Sequence, residues 1–503
     1  MSSRPTKRSR TGDIPPFGAP SDLETAIFQV NEPSSRTLPL TTVPTLVTFC
    51  NWRFVSCFKR LREDNSLWEA RISHQLKLLP DSVLPRLFTL LKKSHPGFLP
   101  HEIIVTYFLR GPNLSLSSDS LPGANRGTVL AIPRLNSQVR ELDLSGFSKL
   151  GDDVFAKVVT QLHSLRSLVL RNCTKVGPKT ITAIAKSCPE TRSLNLSETS
   201  VSPAAIAELL VAHGKQLEVL KIAGLQRWTD ATFMAQLHPY LIEQQVSMPK
   251  LRTLKLRGLQ LADSSIDFLV SLSPNLSRLD ISFTATKRPI LFTSRRDLFS
   301  VCAHLSAPPL EKLSLTSTPV AISDLLQTIA SFSNLQTLSL GALGAAGLMG
   351  VASATTLNDA TLPKLTSVLQ SFPNLRSVNL VSNTRLSKAS LFDFIQRYLN
   401  LAGITTMRSD ALAALLPMDG THPALETLVL NNTSIGDDSG AYIACCCDLV
   451  RLEVEGTKFT SEGLFPIIDA CSKLQVLNLT SCRGVRIADR RRFFEVQFTL
   501  LSL

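Results

Sequence analysis

The chain has 503 residues, 44% of them apolar and 18% charged, with a formal net charge of +13. That length suits two or three domains or one long solenoid, and the apolar share allows a large core. Ten cysteines over this length exclude a disulfide scaffold and point to a reducing compartment, cytoplasm or nucleus. The positive balance favours acidic partners and says nothing about fold. Aromatics are scarce at 6%, as in a core built mainly from leucine.

Residues 1–36 are rich in Ser, Pro, Arg and Thr and read as a disordered tail. The run PTKRSR has the composition of a nuclear import signal and equally of a solvated tail. It carries no apolar run, so it is not a signal peptide, and no stretch of 18 apolar residues follows that would span a membrane. Residues 37–112 read as a helical unit built on VPTLVTFCNWRFVSCFKRL, SLWEARISHQLKLL, DSVLPRLFTLLKKS and PHEIIVTYFL. In the first of these, Leu46, Cys50, Phe54, Cys57, Phe58 and Leu61 fall on one side of a helix. Residues 113–138 read as a linker.

From residue 139 to the end a template repeats. L-x-x-L-x-L starts at 139, 165, 191, 217, 251, 276, 310, 335, 375, 425, 449 and 474. Seven of the eleven gaps between these starts are 24 to 26 residues, the period of leucine-rich repeats. In LRSLVL, Leu165, Leu168 and Leu170 point inward from a short strand while Ser167, Val169 and Arg171 point out. A polar turn follows, and then KTITAIAKSC has helical spacing, with Ile181, Ile184 and Ala185 on one face. One such unit cannot cover its own apolar face, so stacked neighbours must share a core. The expected fold class is α/β: a leucine-rich-repeat horseshoe of about twelve coils over 139–503, with a parallel concave sheet and convex helices, preceded by a small all-α unit. The helical unit would cap the first coil. Four gaps are long. The segments 341–364 and 397–424 are insertions; the first reads as a loop rich in Gly, Ala and Thr, the second as a degenerate repeat or a separate helix.

Three residues after the last strand leucine stands a small polar side chain in eight repeats: Cys173, Thr199, Thr284, Thr318, Asn383, Thr433, Thr457 and Cys482. Such side chains can bond turn carbonyls that would otherwise be buried unpaired. Cys173 together with Cys188 resembles the cysteine-containing, RNI-like subclass of leucine-rich repeats, which is common in ubiquitin-ligase receptors.

The outward strand positions carry a basic patch on adjacent middle coils: Lys221, Lys255, Arg257, Arg278 and Lys312. It suits an acidic or phosphorylated protein substrate, and it also suits a merely solvated face. The patch is short and has no interleaved aromatics, which argues against nucleic acid.

The N-terminal unit carries a second resemblance. In TLVTFCNWRF, residues Thr45, Leu46 and Cys50 match the elongin-binding box of ubiquitin-ligase substrate receptors, with Phe54 where that family has an aliphatic residue. The resemblance implies that Leu46 enters an apolar pocket on elongin C with Cys50 beside it. Positions 46, 50 and 54 form one helical stripe that a groove can accept. In LPDSVLPRL, residues Leu79, Pro80, Val83 and Leu87 resemble the cullin-contacting box that follows in such receptors, across a longer linker here. EDNSLWEARI, with LPL at 38–40, also resembles an F-box, which would dock a Skp-type adaptor instead. Either resemblance implies a non-catalytic substrate-recognition subunit of a cullin-type ligase. The alternative is a repeat scaffold with no ligase link and a plain helical cap.

Nothing in the chain points to catalysis, a metal or a cofactor. The conspicuous thiols Cys445, Cys446 and Cys447 fall in the helix of a repeat, where three consecutive side chains diverge and cannot share one metal. The C-terminal run with Arg490, Arg491, Arg492, Phe493 and Phe494 reads as a capping helix.

Overall fold

The computed structural model describes residues 35–37, 45–288, 307–343, 357–375, 377–380, 382–383, 386, 409–416, 425–486 and 488–489. The import-signal run, the centre of the 341–364 insertion and the C-terminal arginine–phenylalanine run lie outside the described residues.

Every L-x-x-L-x-L start is followed two residues later by a three-residue strand. In chain order these are β3 (Glu141–Asp143), β4 (Ser167–Val169), β5 (Ser193–Asn195), β6 (Val219–Lys221), β7 (Thr253–Lys255), β8 (Arg278–Asp280), β9 (Lys312–Ser314), β10 (Thr337–Ser339), β11 (Ser377–Asn379), β12 (Thr427–Val429), β13 (Arg451–Glu453) and β14 (Val476–Asn478). Two strands come earlier, β1 (Ser35–Thr37) and β2 (Asn113–Ser115). Strands β2 to β11 form one parallel sheet in sequence order, and β12 to β14 form another with β1 antiparallel at its edge. The register is in step: Leu168 sits beside Leu142 and Leu194, and Lys221 beside Asn195 and Lys255. Helices such as Pro178–Ser187 and Pro203–His213 pack side by side along the other face. The three template leucines of each coil are buried; Leu165, Leu168 and Leu170 are fully so. Full burial of each leucine stabilises by about 2 kcal/mol, which short three-residue strands need because they have few ladder bonds of their own.

The solenoid starts one coil earlier than the sequence suggested. The segment 113–138, read as a linker, holds β2 and the helix Arg126–Leu135, with Leu114, Leu116 and Ile132 buried. Its template is GPNLSL, with Gly111 in the first leucine position. This coil packs against the N-terminal helices, so no preceding coil needs that leucine. The other departures are also accommodated. Thr191 replaces a leucine but is fully buried, and its Oγ1 donates to the Cys188 carbonyl at 2.8 Å.

The eight small polar residues sit buried and do the expected work. Thr199, Thr284, Thr318 and Thr433 each donate at 2.7 Å to the carbonyl of their own coil's last strand leucine or isoleucine. Cys173 and Cys482 donate instead to the preceding coil, at Leu144 (3.0 Å) and Val454 (2.9 Å). Asn383 donates to both Leu340 and Leu380, each at 2.9 Å.

A second turn device recurs without any shared residue type. Seven residues after each template start the backbone is left-handed: Gly146, Asn172, Glu198, Gly224, Gly258, Phe283, Ser317, Ala342, Ser382, Asn432, Gly456 and Ser481 all have φ between 46° and 83°. This turn aims the N–H at the next coil. Gly146 donates to Arg171, Asn172 to Ser197 and Glu198 to Ala223, at 2.8, 3.0 and 2.8 Å. Gly, Asn and Ser tolerate this conformation; a longer side chain is strained by about 1–2 kcal/mol. Glu198→Gly should therefore raise the urea midpoint, with a gain in unfolding free energy of a few tenths of a kcal/mol up to about 1 after the added chain entropy. Gly146→Ala should move it downward, since an added Cβ would lie 2.7 Å from Ser118 Oγ. A lower midpoint for Glu198→Gly would refute this account of the turn.

One coil also carries a buried histidine. His213 ends its helix, 4% exposed, with Nε2 bonded to the Ile184 carbonyl and Nδ1 accepting from Gln216. Burial holds its pKa below the ordinary value, against the pull of the Ile184 carbonyl. The folded state therefore binds a proton here less readily than the unfolded chain. The associated stability is complete above the ordinary histidine range, near pH 6.5, and declines as pH falls through it. His213→Gln should flatten the decline in denaturation midpoint between pH 7.5 and 5; an unchanged slope would remove His213 as its source.

The N-terminal unit is helical as expected. It contains α1 (Leu46–Glu63), a helical run from 65 to 78 with a π turn at Trp68–Ile72, and α2 (Leu84–Ser94). Thr45 caps α1 by accepting the Thr48 N–H. The inward stripe of α1 differs from the one expected. Thr48, Asn51, Val55 and Phe58 are buried, whereas Leu46 and Cys50 face out and Phe54, Cys57 and Leu61 lie half-buried between. Helix α1 has two apolar stripes. The core takes the one centred on Val55 and Phe58, where Phe58 meets Trp68 edge-on at 5.9 Å and His95 bonds the Val55 carbonyl. Arg110 ties the unit together by donating to the Leu76 and Lys77 carbonyls at 2.7 and 2.6 Å. Lys92 ties it to the solenoid by donating to the Ser115 carbonyl at 2.9 Å. One continuous core runs from Val55 to Val485.

Among the described residues, the insertion at 397–424 shows a single 3-10 turn, Ser409–Leu415, with Leu412 and Leu415 buried.

Candidate docking sites

Two surfaces stand out, one on each part of the molecule. The first is the outward stripe of α1. Leu46 is 78% exposed at the helix start, with Phe49 and Cys50 exposed on the same face at i+3 and i+4, and Val47 exposed beside them. A buried apolar side chain stabilises by about 1.5–3 kcal/mol, so this face leaves apolar area uncovered among the described residues. Of the stripe 46, 50 and 54, Leu46 and Cys50 lie open together. Phe54 is turned partly inward, its ring 5.8 Å from Phe58. Phe49, not singled out in the sequence, joins them; its neighbour one helical turn from Leu46 was the available signal. Leu79 is half-buried against the unit's own core and Pro80 is exposed, at the bend before α2. Val83 is half-buried and Leu87 buried, so Leu87 serves the internal core.

The second surface is the middle of the sheet. Lys221 and Lys255 are cross-strand neighbours in one column, and Arg278 and Lys312 are neighbours in the adjoining column. Lys255, Arg257, Arg278 and Lys312 are exposed and Lys221 is half-buried. Burial, then the charges of Lys255 and Arg278, hold the Lys221 ammonium below its ordinary pKa. Among the described residues, none of the five forms an ion pair. Other exposed cations do: Arg166 with Glu190 at 2.8 Å, and Lys473 with Asp448 at 2.6 Å. Next to the patch, the Arg257 guanidinium lies 4.7 Å from the centre of the Phe283 ring.

With strands, register and convex helices in place, the architecture is decided. The fold is a leucine-rich-repeat solenoid. No protein-family model and no curated protein sequence matches the chain. Solved structures do. The chain is similar to one in the Rad7–Elc1 complex of yeast, at 16% identity, 78% of this chain, 95% of that one and a TM-score of 0.50. It is also similar to an internalin of Listeria monocytogenes (16% identity, 70% and 88% coverage, TM-score 0.36) and to a leucine-rich-repeat protein of Leptospira interrogans (16%, 78% and 95%, TM-score 0.33). At such identities the likeness concerns the fold.

The leucine-rich-repeat thiols have structural roles. Cys445, Cys446 and Cys447 follow a helix that ends at Ala444, rather than falling within it as expected. Cys446 is buried and its thiol is pushed up to about 12 by burial; Cys173 and Cys188 behave alike. Thiols so far from ionisation are poor nucleophiles and poor metal ligands. Among the described residues no group of three potential ligands converges, and no helix is long and apolar enough to cross a membrane.

Proposed function

We propose that this chain is a non-catalytic substrate-recognition subunit of a cullin-type ubiquitin ligase, working in the nucleus or cytoplasm. In this reading α1 docks a ligase adaptor and the concave sheet holds a protein substrate. The observation that carries it is the exposed Leu46–Cys50 stripe, at the two positions that match the elongin-binding box. The helix presents both side chains to solvent while its opposite face fills the core. An adaptor groove that accepts an amphipathic helix needs that geometry. The likeness to a chain solved in complex with Elc1 supports the same reading. Leu79 and Pro80 would then contact the cullin. Between the two adaptors, elongin C is favoured over a Skp-type adaptor because the residues matching its box, Leu46 and Cys50, are the ones left exposed, whereas Trp68 in the F-box match is buried.

We also assign the repeats to the cysteine-containing subclass. Cys188 donates to the Leu162 carbonyl at 3.3 Å, and Cys471 makes the same bond to Cys446 at the same distance. With Cys173 in the same coil as Cys188, and Cys482 in the coil after Cys471, they bond the preceding coil at matching places in two distant parts of the solenoid.

Size-exclusion chromatography of the purified chain with purified elongin C in complex with elongin B, and separately with a Skp-type adaptor, tests the reading. Co-elution with elongin C is expected. Co-elution with neither would leave a scaffold without a ligase link.

A further inference from the structure

We propose that the concave patch recognises a short anionic segment of a protein partner, bearing carboxylates or phosphates, whose adjacent apolar side chain lies against Phe283. This rests on the concave sheet being the protein-binding face.

Three observations carry it. The first is the unpaired charge already described. Four cationic side chains on β6 to β9 occupy two adjoining columns with no partner among the described residues. Neighbouring strands lie about 4.8 Å apart, so the four span about 14 Å. An extended peptide of four or five residues, at about 3.3 Å each, matches that length.

The second is Phe283 itself. A bulky side chain with φ of 59° is strained, yet the ring is 42% exposed and gains little core packing in return. The same turn position in the two preceding coils is glycine, Gly224 and Gly258. Strain kept at an exposed position, where glycine serves in the two preceding coils, points to a task for the side chain.

The third distinguishes the partner's class. Arg257 already covers a face of the Phe283 ring, so a nucleobase would have to displace a guanidinium to stack there. Asp280, in the same column as Lys255, interrupts the positive track on the sheet, as a long polyphosphate would not favour. A short anionic segment can set its charges on the cations to either side of Asp280 and rest one apolar side chain on the part of the Phe283 ring that Arg257 leaves exposed.

Fluorescence anisotropy on the full chain tests this with four labelled probes. One is a peptide of four glutamates followed by glycine and phenylalanine. The second has two phosphoserines in place of two glutamates. The third has glutamine for every glutamate, and the fourth is a ten-nucleotide oligothymidine. One or both anionic peptides should bind, and whichever is tighter identifies the anion. The glutamine peptide should bind at least about tenfold more weakly, as should the anionic peptide to the Lys255→Glu, Arg278→Glu double variant. Phe283→Gly should weaken peptide binding about fivefold while leaving the denaturation midpoint unchanged or higher, a combination that a purely structural residue does not give. Absence of binding by both anionic peptides at millimolar concentration overturns the proposal, as does equal binding of the glutamine peptide. Wild-type affinity in Phe283→Gly removes the aromatic contact, and tighter binding of oligothymidine reassigns the face to nucleic acid. Adaptor co-elution is measured on the same preparations, so failure here and failure of the ligase reading are separate results.

Discussion

Replacing Leu46 with aspartate should abolish adaptor capture, a loss of at least about a hundredfold in affinity, and leave the fold intact. The two halves of that expectation come from the same geometry. Leu46 is 78% exposed, so its removal empties no cavity and buries no charge in the free protein. Surface substitutions of this kind usually change stability by less than about 0.5 kcal/mol. In a complex the same side chain would sit desolvated in an apolar pocket. An aspartate there would forfeit the burial and leave a carboxylate without a partner, and such changes at the centre of an interface commonly cost 2–4 kcal/mol or more. Thr45 remains the cap, and an acidic residue in the first turn suits the helix dipole, so α1 itself should be unharmed. Titration calorimetry against elongin C, with the denaturation midpoint measured in parallel, decides the matter. Wild-type affinity in Leu46→Asp removes the stripe from the interface.

The largest effect on stability should come from a ladder leucine. Leu194 is fully buried in β5, between Leu168 and Leu220 in the flanking strands. Leu194→Ala removes its burial and leaves a void that neighbours on both sides, themselves held in register, cannot collapse to fill. The expected cost is about 2–5 kcal/mol. Ser193→Ala, one residue away on the open face, should cost less than about 0.5 kcal/mol. Because each coil touches mainly its neighbours, the damage should spread locally. Hydrogen exchange should quicken in the coils around β5 before those near β13. A cost below 1 kcal/mol for Leu194→Ala, or uniform exchange along the chain, contradicts the shared-core description.

The strands were legible because the leucine template is a packing requirement repeated in each coil: every start from 139 to 474 has its strand at the same offset. The coil at Gly111 escaped because its first position faces helices and has no leucine to show. The left-handed turn escaped for a different reason. It is a demand on the backbone, met by glycine at 146, 224, 258 and 456 but by Glu198, Phe283 and Ala342 elsewhere, so no side-chain pattern announces it. Four glycines and two asparagines at one offset were the available clue. The α1 stripe was half legible. Spacing grouped Leu46 with Phe58, and only packing against Trp68 and His95 separates the face that is used inside from the face left over.

The pairing of β1 with β14 has a consequence for solubility. A stack of parallel strands ends in a row of free amides and carbonyls, to which a strand of another molecule can add. Ser35–Thr37 occupies that row from the opposite direction, turning the final rung from a template into a stopper. Chains lacking those residues would offer an open rung to one another, and so should assemble into oligomers as concentration rises.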